Sequence, residues 1–146
     1  MKRAVTLTLS LSLAAMATGC IIVDDNDHPD VVVVGNATPF VSYADAGCYW
    51  SDYEYDYVWW FEAEVWDDDG YGDIEAVYAD IYDARGNWVD TFELYDETNY
   101  PELWFSDWLQ YYSYLDCSYG GYVVDIVAYD WSGAYDVTSV TPITAW

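Results

Sequence analysis

The chain has 146 residues, enough for one modest domain, and carries 27 Asp and Glu against 3 Lys and Arg, a formal charge of −24. A field of that sign repels phosphate backbones and anionic head groups, which argues against nucleic acid as a partner and leaves cations and basic surfaces as its natural complements. Nine Trp, 17 Tyr and 4 Phe are more than one core of this size can hide, so many rings must meet solvent. Such a composition suits β-strands and recognition surfaces alike.

Lys2 and Arg3 begin the chain with positive charge, and Ala4 to Ala17 then run without any charge. This is the layout of an export signal, and it is shorter than the roughly 20 apolar residues a membrane-spanning helix needs. Ala17, Thr18 and Gly19 lead into Cys20, an ending that resembles the lipobox of bacterial lipoproteins, with Ala17 where Leu is commonest. The resemblance implies cleavage before Cys20 and acylation of Cys20, hence export and a lipid-anchored attachment to the membrane. Ile21 and Ile22 stand where an Asp would favour inner-membrane retention, so the outer membrane is the expected location. Removing residues 1–19 leaves Arg85 alone against the 27 acids, a formal charge of 1 minus 27, or −26.

Residues 20–37 mix a valine run with Asp, Asn, Pro and Gly and read as a flexible tether. Fully extended, it would reach about 55 Å. Val31 to Val34 is the one stretch in it able to form a short strand instead.

From residue 38 to 146 short Tyr, Trp, Val and Ile runs alternate with Asp, Gly, Asn and Ser clusters, the signature of β-strands and turns. Expected strands are Thr38 to Ala44, Tyr55 to Trp66, Glu75 to Asp83, Trp88 to Tyr95, Leu103 to Leu115, Tyr122 to Tyr129 and Tyr135 to Ile143. In the second, Tyr57, Trp59, Phe61, Ala63 and Val65 share one face and Glu62 and Glu64 the other; in the third, Val77, Ala79 and Ile81 line up. About seven short strands is the count of an immunoglobulin-like antiparallel β-sandwich.

Local texture points the same way. Asp67, Asp69, Gly70, Asp73, Ile74, Val77, Ile81, Gly86 and Val89, followed by Tyr122, Val124, Ile126, Ala128 and Asp130, resemble the Ig-like and fibronectin-III-like domains of bacterial surface proteins. That resemblance implies a fold and leaves activity open.

With Cys20 assigned to lipid, Cys48 and Cys117 remain as an even pair in an oxidising compartment, and a disulfide is expected. The strand order places both at one end of the sandwich.

Asp67, Asp68, Asp69 and Asp73, with Gly70 and Gly72 among them, form a dense set of hard oxygen ligands on a turn, and the sandwich topology brings Asp130 toward the same end. Calcium prefers this chemistry. The run is not an EF-hand, because Tyr71 occupies a ligand position and no Glu follows at the twelfth. A solvated acidic turn is the alternative reading.

Catalysis finds little to work with. The domain contains no Lys and no His, since His28 lies in the tether, so the common general bases and Schiff-base nucleophiles are missing. The functional expectation is a non-enzymatic envelope domain for adhesion, structure or ligand binding, its partner an envelope protein or a glycan. A carbohydrate-binding module using outward-facing Tyr78 and Tyr82 is the first alternative, and a carboxylate-pair glycoside hydrolase the second.

Overall fold

A computed structural model describes residues 20–22 and 32–144; the leader, residues 1–19, lies outside the described residues. The chain divides into two units. Met1–Gly35 contains a small antiparallel pair, β1 (Cys20–Ile22) and β2 (Val32–Val34), so the valine run is a strand within the stretch expected to be tether.

Asn36–Trp146 forms the second unit, which is all-β. Its strands are β3 (Phe40–Ser51), β4 (Asp56–Trp66), β5 (Ile74–Tyr82), β6 (Trp88–Glu97), β7 (Tyr100–Leu109), β8 (Val123–Asp130), β9 (Tyr135–Val140) and β10 (Ile143–Thr144). They hydrogen-bond in the order β10-β3-β4-β7-β6-β5-β8-β9, antiparallel throughout except for the parallel β10–β3 pair.

The sheet curls until its ends approach. Val41 on β3 donates its N–H to Asp136 Oδ2 on β9 at 2.9 Å, and Thr138 Oγ1 donates to the Val41 carbonyl at 3.5 Å. Between the two halves, β3-β4-β7 and β6-β5-β8-β9, the link is a short hairpin pairing Tyr95 with Phe105, Asp96 with Trp104 and Glu97 with Tyr100. One continuous mixed sheet of eight strands therefore stands where about seven strands in a sandwich were expected.

Alternation explains the core. Trp59, Phe61, Ala63 and Val65 of β4, Val77, Ala79 and Ile81 of β5, and Val124, Ile126 and Ala128 of β8 all point inward and are buried. Phe61 stacks on Phe92 at 5.2 Å between ring centroids, and Trp59 meets Tyr122 edge-on at 5.7 Å. Cys48 and Cys117 are joined by a disulfide, with Cα atoms 5.9 Å apart and a sequence separation of 69.

Three strands, β3, β7 and the last, depart most from expectation, each for local reasons. Strand β3 runs past Ala44 to Ser51 and contains Cys48, because Asp45 faces outward and its Oδ1 accepts the Ala46 N–H, while Gly47 leaves room for Trp60. The turn-like composition Ala-Asp-Ala-Gly thus stays in the sheet. Strand β7 begins at Tyr100, three residues before the expected start, and ends at Leu109, where a 3-10 turn at Gln110–Tyr112 takes over. The final strand breaks in two at Thr141 and Pro142, whose ring removes an N–H from the ladder.

Candidate functional site

The acidic pole forms where β4 hands the chain to β5. After Trp66, Asp67 Oδ1 accepts the Asp69 N–H at 2.8 Å, and the Asp67 carbonyl accepts the Gly70 N–H at 3.0 Å. Gly70 sits at φ 102°, a left-handed conformation that costs glycine nothing. It leads into the 3-10 turn Tyr71–Asp73 and so to Ile74, the first residue of β5.

Pairing does the rest. Ile74 lies opposite Asp130, the last residue of β8, which places Asp73 beside Asp130; Trp131 N–H donates to the Asp73 carbonyl at 3.1 Å and ties the two turns together. Carboxylate oxygens of Asp67, Asp73 and Asp130 consequently lie within 4.8 Å of one another, the one such cluster among the described residues.

The three carboxylates differ in their surroundings. Asp130 is fully buried, yet its Oδ1 accepts from Ser132 N, Ser132 Oγ and Ala134 N, each at 2.8 Å, and its Oδ2 from Asn36 Nδ2 at 2.5 Å. Burial opposes its charge, but the bonds from Ser132, Asn36 and Ala134 outweigh burial and hold the carboxyl below its ordinary range. Asp73 is pushed the other way, by burial first and then by the charges of Asp67, Asp130 and Asp69. Asp67 Oδ2 and Asp73 Oδ2 are sealed from solvent and accept from no donor. A buried acceptor left without a partner costs about 1–3 kcal/mol, more when charged.

The three carboxylates are spaced to hold a hard cation, which would neutralise their mutual repulsion and offer a partner to oxygens that have none. Arg85, the only Lys or Arg after residue 19, is no substitute, because the length of β5 separates its turn from the pole. The other expected ligands stand outside the triad: Asp69 Oδ2 accepts the Ala37 N–H at 2.6 Å, and Asp68 is exposed.

Tyr78 and Tyr82 both lie on the outer face of β5 and are half-buried. Asp80 stands between them, directly opposite Asp125; Thr91 Oγ1 donates to Asp80 Oδ1 and Ser139 Oγ to Asp125 Oδ1, each at 2.5 Å. Tyr78 begins an aromatic row, meeting Tyr129 at 6.2 Å, and Tyr129 meets Tyr135 at 5.6 Å. Burial, then Asp80 and Asp125, raise the Tyr82 hydroxyl above its ordinary value.

A second surface was not anticipated from the sequence. On the outer face of β3-β4-β7, Tyr49, Trp60, Glu62, Glu97, Phe105 and Asp107 line an open groove of about 370 Å³. The signal for it was partial: alternation along β4 turns Trp60 outward with Glu62, but the facing residues depend on a register that only pairing reveals. Comparison with family models, curated proteins and solved structures finds no match to this chain.

Proposed function

We propose that this chain is an exported, lipid-anchored, non-enzymatic domain of the bacterial envelope, attached through Cys20 and working by binding. The observation that carries the reading is the exposure of large rings on both outer faces of the sheet, among them Trp88, Tyr95, Phe105 and Tyr135, each about half exposed or more. Aromatic side chains left in water at this density serve contact better than stability. Envelope proteins and glycans are the partners in this reading, and the disulfide agrees with an oxidising compartment.

An immunoglobulin-like kinship belongs to the same proposal. It is supported by the strand order, since with β3 to β9 lettered A to G the halves β3-β4-β7 and β6-β5-β8-β9 read ABE and DCFG, the ABED and CFG sheets of that fold with the fourth strand paired to the facing half. A divalent cation, calcium by its oxygen-only ligands, at Asp67, Asp73 and Asp130 belongs to it too, supported by the two buried oxygens without donors.

Two measurements test the core of the reading. Labelled palmitate fed to the producing bacterium is expected in the parent chain and absent from Cys20→Ser; equal labelling would sink the anchor. Purified protein screened against chromogenic glycosides and esters is expected to turn over none. A steady rate lost in one Asp or Glu variant would make the hydrolase alternative correct.

A further inference from the structure

We propose that the groove on the outer face of β3-β4-β7 binds the guanidinium of an arginine side chain on a basic partner protein. The inference rests on the reading of the domain as a binding module and names the chemistry of its ligand.

Aromatic rings and carboxylates alternate across this face in both directions. Trp60 lies opposite Asp107, and Glu62 opposite Phe105, while Trp60 and Glu62 are neighbours on one face of β4 as Phe105 and Asp107 are on β7. Each ring therefore has an acid beside it along the strand and another across it. On its third side Trp60 faces Gly47 of β3. A Cβ at Gly47 would come within 2.7 Å of Trp60 Cζ2 and 2.8 Å of Cε2, so the indole rests directly on the glycine backbone and is held flush with the sheet.

Three acids, Glu62, Glu97 and Asp107, line the groove with no basic residue among its walls. Their oxygens do not converge to the ion-sized spacing seen at the acidic pole. The site accordingly fits a cation larger than a metal ion. A guanidinium meets each requirement: it is flat and stacks on an indole face, and its N–H fork reaches carboxylates on either side. A neutral sugar can donate its hydroxyls to these carboxylates but leaves their three charges uncompensated, and an anion is repelled by them. The strongly negative field of the whole chain draws a basic partner toward this face and speeds encounter at low salt. The groove volume lies at the lower end of the roughly 300–1,000 Å³ range of small-ligand sites, the scale of one long side chain rather than a peptide helix.

The test titrates the mature protein by calorimetry with a glycine-spaced arginine peptide, the matching citrulline peptide, which lacks the charge but keeps the shape, and a neutral oligosaccharide. Saturable binding of the arginine peptide alone is expected, weakening as salt rises. Trp60→Ala should lower its affinity by about tenfold, the loss of a partly desolvated cation–π contact. Trp60→Phe should restore part of that loss, and Glu62→Gln and Asp107→Asn should each weaken binding. Tyr114→Ala, which removes an exposed ring from the segment between β7 and β8, should change nothing. Near-UV circular dichroism and the intact disulfide report whether each variant folds. Equal binding by the citrulline peptide, oligosaccharide binding that competes with arginine, or equal losses in Trp60→Ala and Tyr114→Ala would overturn the proposal. Any of these leaves a binding domain whose ligand sits elsewhere, whereas turnover in the glycoside and ester screen would overturn the binding reading itself.

Discussion

Asp83 shows what a single side chain contributes at the turn between β5 and β6. Its Oδ1 accepts the N–H groups of Arg85 at 2.8 Å and Asn87 at 2.9 Å, and its Oδ2 accepts Asn87 Nδ2 at 2.9 Å. The hydrogen bonds from Asn87, outweighing burial and aided by Arg85, lower its pKa below the ordinary 3.8. A carboxyl depressed on folding stabilises the protein above its unfolded value, and that stabilisation is lost as pH falls through the folded value. Asp83→Ala is therefore expected to melt at a lower temperature than the parent at pH 7, with the gap closing below about pH 4. Thermal melts over a pH series check this, and a gap that stayed constant into acid would contradict it. At this scale the sequence was informative: Asp83 to Asn87 carries its turn chemistry locally. The Asp67 to Asp73 run was equally visible, but the orphaned Oδ2 atoms of Asp67 and Asp73 depend on Asp130, 57 residues beyond Asp73, and no local pattern contains them.

Among the elements, the disulfide joins the middle of the fold to a loop. Cys48 sits in β3 opposite Trp59, and Cys117 lies in the segment between β7 and β8, where its N–H donates to Gln110 Oε1 at 2.8 Å. Both half-cystines are buried, so the bridge adds packing to its constraint on the unfolded chain. Replacing both with Ala should cost about 2–5 kcal/mol, read as a lower urea midpoint that reductant no longer shifts. A variant as stable as the parent would mean that the loop is held by Tyr122, Leu115 and Gln110 alone. The bridge was legible from cysteine arithmetic, and the inward faces of β4 and β5 from simple alternation. The full length of β3 was not, because Asp45 and Gly47 carry turn-forming residue types yet face outward in a strand. Their roles are set by Glu62 and Trp60, the residues across from them on β4. The β6–β7 hairpin carries no local signal for a related reason, since Thr98 and Asn99 form its turn without any glycine.

For the whole molecule, charge and curl are connected. A chain with 27 acids resists compaction, and the β4–β5 turn together with β5–β8 pairing brings carboxylate oxygens of three of them within 4.8 Å at one pole. Elsewhere the acids are spread over exposed strand faces or matched to backbone donors, as at Asp136 and Asp83. At the pole, charge is gathered to ion-sized spacing while Asp67 Oδ2 and Asp73 Oδ2 are buried without donors. Extracellular modules bind calcium at about 10⁻⁴ to 10⁻³ M, and ligand at ten times its Kd stabilises the folded state by roughly 1.4 kcal/mol. Calorimetric titration of chelator-treated mature protein with calcium, repeated with magnesium at equal ionic strength and in Asp73→Asn, is the most direct test. One saturable calcium event is expected in the parent, with weaker binding of magnesium, loss of the event in Asp73→Asn and a matching calcium-dependent rise in Tm in the parent alone. Calcium, magnesium and the variant behaving alike would contradict it and reduce the pole to a screened acidic turn.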